Sequence, residues 1–216
     1  MVKELIINST PSGVTIALLQ DKQLVEINKE QINNNYAVGD IYLGRIKKIM
    51  PGLNAAFVDV GYEKDAFLHY LDLGPQVQSL QKLTKQVRGN AYKDHLLDHF
   101  KKEADIDKAG KISSVLTKGQ FLPVQIAKEP ISTKGPRLSS DLSIAGRYIV
   151  LVPFSNVISI SKKIKSNTER NRLKKIIESI KPKNFGVIIR TVSEGKGVAE
   201  LQKDLLDSVS KWESFA

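Results

Sequence analysis

The sequence predicts an α+β protein with three parts. Short segments up to His69 alternate apolar and polar side chains with the period of a β-strand, and a similar segment follows at Gly119–Ile126. From Leu142 onward, strands are interspersed with segments in which apolar residues recur every three or four positions, as on one face of a helix. We therefore expect a β-meander over residues 1–37, a β-rich domain over 38–141 with an insertion at 74–118, and an α+β unit over 142–216.

Three short strands are predicted in the first part, at Val2–Asn8, Val14–Leu19 and Gln23–Ile27. The intervening Thr10–Gly13 and Gln20–Lys22 carry turn-forming residues. A meander of this size has one apolar face and too little chain of its own to cover it. We therefore expect that face to pack against another layer.

The segment Leu53–His69 predicts two strands joined by a short turn that opens on Gly61. Alternation puts Phe57 and Phe67 on the face opposite to the apolar row, and folding the hairpin brings the two rings together. Neighbouring rings on a partly wet face can stack the bases of a single-stranded nucleic acid, because every base has a π face. Alternation alone leaves open a second interpretation, in which both rings close a second core layer.

Further strands are predicted around the hairpin, at Gly39–Ile46, Gly119–Ile126 and Arg137–Ser140. Ahead of the last of them, glycine and proline around Lys134 keep the backbone out of regular pairing. We therefore expect this lysine to be displayed on a loop beside the hairpin face. There it would suit a phosphate contact, whereas a displayed lysine elsewhere usually serves only solubility.

The insertion lacks strand alternation, and three helices are predicted in it, at Gln76–Gln86, Tyr92–Glu103 and Ile112–Leu116. His95 and His99 would share one face of the second helix. Two histidines without a third convergent ligand are more often a solvated helix face than a metal site. The sequence therefore assigns no metal-binding residues.

In the C-terminal unit, Arg147–Val152 is a nearly continuous apolar strand, and Val157–Ser161 is predicted to be its hairpin partner. Ser166 and Glu169 form a capping box at the start of a helix that ends before Pro182.

A third strand, Gly186–Thr191, is mostly apolar and is therefore predicted to lie centrally in its sheet, ahead of a last helix that begins at about Val198. At the end of this strand, a glycine-rich turn leads toward the helix, where backbone N–H groups can converge on an anion. Arg190 adds a planar fork of donors and Thr191 a hydroxyl, which together suit a terminal phosphate. The local sequence slightly favours a simpler interpretation, an ion pair between Arg190 and Glu194.

Composition narrows the function classes. The net charge of +10, from 33 basic and 23 acidic residues, attracts polyanions, although it does not identify which one and also fits a solvated surface without a partner. Because the chain has no cysteine, disulfides, thiolate metal sites and cysteine nucleophiles are excluded. The polar N-terminus is unlike a signal peptide and no apolar run reaches the length of a membrane span, so we expect a cytoplasmic protein.

Four motifs in combination are similar to the amino-terminal part of the RNase E and RNase G endoribonucleases: Asn54–Gly61, Thr133–Ser139, Ala145–Pro153 and Ile189–Gly195. The resemblance runs along nearly the whole chain, and the insertion is its main departure. It implies that residues 1–37 belong to a split RNase H-like subdomain and that residues 38–141 form an S1 domain, a five-stranded barrel of OB type. It also implies that residues 142–216 form a sensor of the RNA 5′ monophosphate.

The resemblance further implies two groups of RNA-binding residues. On the barrel, Phe57 and Phe67 would stack bases, and Lys134 would contact the RNA backbone. The 5′ phosphate and the terminal base would be held by Arg190, Thr191, Gly146 and Val150.

In that family, aspartates of a separate domain hold the catalytic metal, expected to be Mg²⁺. We therefore expect this chain to be the recognition half of a homo-oligomeric nuclease, with no catalytic residue, metal ligand or cofactor of its own, and not to cleave RNA alone. The last helix reaches Ala216 without a C-cap, which suggests a cut from a longer protein. The alternatives are a non-catalytic S1-domain adaptor that binds RNA or a ribosomal surface, and a basic module for acidic proteins or membranes.

Overall fold

The computed structural model describes residues 2–31, 35–90, 97–131 and 134–215, and the chain divides into two compact units, Met1–Ala37 and Val38–Ala216. The fold is α+β, as predicted from the sequence. Across the described residues, no helix combines the length and the apolar character needed to cross a membrane.

The first unit is a three-stranded antiparallel sheet in the order β1-β2-β3, formed by β1 (Lys3–Thr10), β2 (Gly13–Gln20) and β3 (Gln23–Gln31). All three strands are longer than predicted. Asp21 and Lys22 form the second turn with positive φ angles of 49° and 66°, the conformation that matches the twist of a two-residue hairpin. Leu5 and Ile7 expose 62% and 59% of their surface, so the sheet has no buried core of its own.

The second unit begins with a closed five-stranded barrel of S1/OB type. Its strands follow the order β4-β5-β6-β8-β7, and only the β6–β8 pair is parallel. The strands are β4 (Ile41–Met50), β5 (Ala55–Asp59), β6 (Ala66–His69), β7 (Phe121–Lys128) and β8 (Arg137–Ser139). The barrel closes tightly because β4 carries Gly44, where a Cβ would lie 2.5 Å from Val58 Cγ1.

The insertion between β6 and β7 contributes α1 (Val77–Arg88) and the single-turn α2 (Ile112–Val115). The helix predicted at Gln76–Gln86 is confirmed as α1, which buries Leu80 and Leu83. Gln81 Nε2 of this helix donates a hydrogen bond to the Val115 carbonyl at 2.9 Å. The helix predicted at Tyr92–Glu103 is wrong where the structure describes it, because residues 97–103 form turns and irregular chain. His95 lies outside the described residues.

These irregular residues are ordered by packing that local sequence does not signal. Leu97 and Phe100 are buried, and Phe100 lies against Phe154 with ring centroids 5.3 Å apart. The Asn184 side-chain amide donates to the carbonyl oxygens of Leu97 and Phe100 at 2.8 and 3.2 Å. Tertiary contacts therefore replace the local hydrogen bonds that a helix would have supplied.

The rest of the second unit is a four-stranded sheet in the order β11-β12-β10-β9, with two helices. Its elements are β9 (Ile144–Ala145), β10 (Ile149–Pro153), β11 (Ile158–Ile160), α3 (Asn167–Ile180), β12 (Phe185–Ile189) and α4 (Val198–Phe215). The apolar stripe of α4 is buried as predicted, and the fully buried Trp212 meets Phe154 and Phe185 edge to face, at 6.0 and 5.9 Å.

The predicted hairpin between the strands at 147–152 and 157–161 is wrong. β11 pairs in parallel with β12, so that Ile158 faces Val187, and β12 separates it from β10. The turn after β10 contains Phe154 with a φ of 59° and leads the chain away from its own strand. β12 lies inside the sheet, between β11 and β10, which confirms its predicted central position.

Candidate nucleic-acid interface

The two aromatic rings of the barrel hairpin face each other. Phe57 on β5 and Phe67 on β6 are directly opposite in the register, with centroids 5.9 Å apart and planes at 68°. Both rings are half-buried, whereas the residues behind them, Val58 and Leu68, are completely buried. The predicted placement of the rings is therefore observed, and neither ring is sealed in a second core layer.

A groove of about 740 Å³ runs beside these rings. It is lined by Phe57, Lys64, Asp65, Phe67, Lys128, Lys134, Gly135 and Arg137. Five of these side chains are charged and four are cations, so the groove offers positive charge next to exposed ring faces. This combination suits a single-stranded nucleic acid, whose phosphates need cations and whose bases need flat apolar surfaces.

Lys134 enters this groove because the backbone after it is packed closely on the hairpin turn. A Cβ at Gly135 would lie 2.3 Å from the Asp65 carbonyl oxygen, so only glycine fits there. Ile131 and Lys134 exchange two backbone hydrogen bonds, at 3.2 and 2.9 Å, which tightens the loop. Lys134 is exposed, as predicted.

Two residues of this face were not singled out from the sequence. Arg137 on β8 pairs with Phe67 in the register and is oriented by Asp72, which accepts hydrogen bonds at 2.9 and 3.0 Å from its guanidinium. His69 lies two residues after Phe67, with ring centroids 6.4 Å apart. Alternation along β6 predicts that the histidine shares the face of Phe67, although it gives the histidine no role. Arg137 has no such local signal, because its strand β8 comes from a distant part of the chain.

The second predicted site lies at the end of β12. Arg190 donates from Nη1 to the Gly146 carbonyl oxygen at 2.7 Å, and its backbone N–H donates to the Tyr148 carbonyl oxygen at 2.9 Å. The guanidinium is exposed, and no carboxylate within the described ranges lies within ion-pair distance of it. The alternative pairing of Arg190 with Glu194 is therefore not observed.

Thr191 follows directly and contacts the neighbouring strand. Its Oγ1 lies 2.8 Å from Ser161 Oγ, a hydrogen bond in which either hydroxyl can donate. The loop carrying Ser161 is fixed in turn by Arg170 of α3, whose Nη1 donates to the carbonyl oxygens of Ser161 and Ile164 at 2.9 and 3.2 Å. Where β11 and β12 end, the sheet therefore presents two hydroxyls, from Ser161 and Thr191, and the guanidinium of Arg190.

Asp204 of α4 is the residue of this site that sequence reasoning missed. Its carboxylate accepts three backbone hydrogen bonds, from the N–H groups of Arg147, Tyr148 and Ile149, at 2.8, 2.8 and 2.9 Å. These bonds hold the turn between β9 and β10, whose carbonyl oxygen at Gly146 orients Arg190. In the sequence, Asp204 is indicated only by its place beside Leu205, one of the apolar residues that α4 buries.

Gly146 and Val150 line the same part of the sheet. The turn can approach Asp204 because Gly146 has no side chain, since a Cβ there would lie 2.5 Å from Asp204 Oδ2. Val150 is half-buried and pairs with Ala145 on one side and Ile188 on the other. The structure therefore brings Gly146, Val150, Arg190 and Thr191 together through adjacent strands.

The loop after Thr191 is held by α3. Glu169 accepts from the Gly195 N–H at 2.8 Å and from two guanidinium nitrogens of Arg172 at 2.7 Å each. The hydrogen bonds from Arg172 and from Gly195 lower the pKa of Glu169 from 4.5 to about 2. Ser166 caps the helix as predicted, accepting from the Glu169 N–H at 3.3 Å, but the Glu169 carboxylate serves the distant loop.

Within the residues that the structure describes, no group of three histidine or acidic side chains is close enough to hold a metal ion. The predicted site residues fall into two clusters, one on the barrel and one on the neighbouring sheet. The class defined by this architecture is an OB-type barrel followed by a small α+β unit, with an exposed cationic face on each.

The sequence is similar to those of known ribonucleases. A sequence model of the Ribonuclease E/G family matches residues 143–216. Ribonuclease G of Escherichia coli strain K12 is 38% identical over 204 residues, which cover 94% of this chain and 38% of that protein. Ribonuclease G of Haemophilus influenzae is 35% identical over 93% of this chain and 37% of its own length. Ribonuclease E of Nostoc sp. is 35% identical over 84% of this chain and 23% of its own length.

The chain belongs to the ribonuclease E/G family. It spans little more than a third of the length of the ribonuclease G relatives that it matches.

Proposed function

We propose that this chain is the RNA-recognition region of an endoribonuclease of RNA processing and decay. In this proposal the barrel binds single-stranded RNA and the neighbouring sheet binds its 5′ monophosphate. The observation that carries it is the pairing of two recognition features in one unit: two half-buried rings, edge to face, beside a cationic groove, and an arginine without a carboxylate partner among the described residues at a strand end. The ribonucleases among the relatives support the RNA substrate.

On the barrel, Phe57 and Phe67 stack two neighbouring bases and Lys134 contacts the phosphate backbone. Stacking does not depend on base identity, so the barrel binds without strong sequence preference. At the second site, the remaining guanidinium donors of Arg190 and the Thr191 hydroxyl bind the terminal phosphate, and Gly146 and Val150 leave room for the first base. A monophosphate fits this small set of donors, whereas a hydroxyl end lacks the charge that they recognise.

Hydrolysis belongs to the whole protein in this proposal, with Mg²⁺ held by a catalytic domain. The described residues offer no ligand set for a metal, so no step assigned to this chain involves one. The two sites instead position the RNA, which lowers the entropic cost of bringing a downstream phosphodiester to the catalytic groups. We accordingly propose that these 216 residues bind RNA without cleaving it.

The test compares two RNAs that differ only in a 5′ monophosphate or a 5′ hydroxyl, by fluorescence titration at fixed salt. Arg190→Ala is expected to weaken binding of the monophosphorylated RNA by about 10- to 150-fold, since it removes a charge-assisted contact of about 1.5 to 3 kcal/mol, and to leave the hydroxyl RNA nearly unchanged. Lys174→Ala, an exposed cation on α3, is the charge-matched control. Equal losses for both RNAs would favour a non-catalytic S1 adaptor without end recognition.

A further inference from the structure

A third aromatic ring is exposed on the outer face of the barrel. Phe121 begins β7, where it is half-buried, while the following Leu122 is completely buried. Alternation therefore points the Phe121 ring outward. Its register partner on β4 is Arg45, whose guanidinium carbon lies 5.9 Å from the centre of the ring.

The insertion supplies a second cation to the same ring. Arg88, the last residue of α1, places its guanidinium carbon 3.8 Å from the Phe121 ring centre, the separation of a stacked pair. Within the described part of the chain, this guanidinium has neither a hydrogen-bond acceptor nor a carboxylate partner. Stacking therefore orders the group while its N–H donors stay available.

A groove of about 610 Å³ opens beside this pair. Its lining includes Lys85, Arg88, Thr117, Gln120 and Phe121. The two cations come from successive turns of α1, and no carboxylate from the described residues lines the groove. Its chemistry resembles that of the first groove: a flat aromatic surface beside positive charge and several hydrogen-bonding groups.

The two aromatic surfaces belong to one continuous face. Phe57 on β5 pairs with Lys48 on β4, and Asp59, which shares the face of Phe57, pairs with Arg45. Only β4 separates β5 from β7, so Phe57 and Phe121 are two strand spacings, about 10 Å, apart across the sheet and two residues, about 7 Å, apart along it. Lys48 and Arg45 lie between them, and Asp59 is the one acidic side chain on this path.

From this arrangement we infer that Phe121 and Arg88 form a second binding platform for single-stranded RNA, which extends the strand bound at Phe57 and Phe67. A base stacks on the outer face of the Arg88 guanidinium, which Phe121 supports, and Arg45 and Lys85 contact the adjoining phosphates. The inference rests on the proposed RNA binding by the barrel. It assigns a role to the insertion, which carries Arg88 and Lys85 to the barrel face.

The test uses 5′-hydroxyl oligouridylates of two lengths, so that the 5′ site does not contribute. A length of about 4 nucleotides covers the first platform, and about 12 nucleotides reaches both, within the range of sites on OB folds. Arg88→Ala is expected to weaken binding of the longer RNA by about fivefold or more, and Phe121→Leu similarly, while the shorter RNA is unaffected. The slope of log K against log salt for the longer RNA should also fall by about 0.7 in Lys85→Ala, as one phosphate contact is lost.

Two controls interpret the result. Lys174→Ala removes one exposed positive charge from α3, outside the groove, so an equal loss in Arg88→Ala and Lys174→Ala would reduce the effect to net charge and overturn the platform. Phe57→Ala should weaken both lengths. If Phe57→Ala does so while Arg88→Ala and Phe121→Leu bind the longer RNA like the wild type, the second platform is refuted and the barrel function stands. If Phe57→Ala also has no effect, RNA binding by the barrel itself is refuted.

Discussion

Gly146 and Asp204 are packed so closely that a side chain at position 146 would overlap the carboxylate of residue 204. The nearest approach of a Cβ would be 2.5 Å to Oδ2, with Cγ and Oδ1 both at 2.8 Å. The same carboxylate accepts three successive backbone N–H groups of the turn, and the Gly146 carbonyl oxygen accepts from Arg190. The position of the Arg190 guanidinium therefore depends on a glycine and a helix carboxylate.

Gly146→Ala is expected to shift the turn and with it Arg190. We expect a loss of about 1 to 3 kcal/mol in the free energy of unfolding, because the added methyl group overpacks the site. The preference for 5′-monophosphorylated over 5′-hydroxyl RNA should also fall. Chemical denaturation and paired RNA titrations measure the two effects. Gly52→Ala, where a Cβ meets nothing within 4 Å, is the matched control, and an equally small effect in both variants would contradict the prediction.

Asp204→Asn keeps the size of the side chain but turns one acceptor oxygen into a donor facing backbone N–H groups. We expect a loss of about 1.5 to 3 kcal/mol in the free energy of unfolding, the usual contribution of hydrogen bonds to a charged group. Urea denaturation measures it, and Asp207→Asn, an exposed position on the same helix, is the control. Wild-type stability in Asp204→Asn would show that the charge of this carboxylate contributes nothing.

Phe57→Ala is expected to weaken single-stranded RNA binding by about 1 to 3 kcal/mol, whatever the 5′ group, because one stacking surface is lost. Fluorescence titration with hydroxyl and monophosphate ends tests both parts of this statement. Leu53→Ala, an exposed apolar residue just before the hairpin, is expected to bind normally. A loss confined to the monophosphate RNA would assign Phe57 to the other site.

Glu169 should make stability depend on pH in a defined window. Because its pKa is lowered from 4.5 to about 2 in the folded protein, its stabilising contribution is complete above about pH 4.5 and is lost as the pH falls toward 2. Glu169→Gln should therefore be less stable than the wild type at pH 6, and the difference should shrink below pH 4.5. Thermal unfolding across this range measures the difference.

Glu178→Gln on the same helix is the control for this pH dependence. Its carboxylate makes only an exposed pair with Lys174 at 3.7 Å, a kind of contact that contributes about 0 to 1 kcal/mol. If the wild type and Glu169→Gln differ by the same amount at pH 3 and pH 6, the contacts to Arg172 and Gly195 do not control the charge of Glu169.

Much of the local structure followed from periodicity and turn residues. The barrel hairpin, α1, α2, α3, α4 and the central β12 are close to their predicted positions, because each carries its own apolar face and its own start or stop signal. The errors fall where such signals were weak. Residues 97–103 do not form a helix because Leu97 and Phe100 are held by partners far away in the sequence. β11 pairs with β12 and not with β10, because the local sequence of a strand does not specify its neighbours in the sheet.

The sequence alone determined that Phe57 and Phe67 share one face of the hairpin, since strand alternation is a local property of the backbone, and that the chain is basic. Only the tertiary structure decided that this face is not sealed in a second core layer. It also decided which groups surround the two rings. Asp204, Arg137 and Arg88 each reach a site from an element far away in the chain, and only chain folding brings a carboxylate under a turn or a guanidinium onto a ring. Side-chain alternation is encoded within a few residues. The geometry of a binding site depends instead on contacts between distant segments, and the number of residues between two segments does not show whether they lie close together in space.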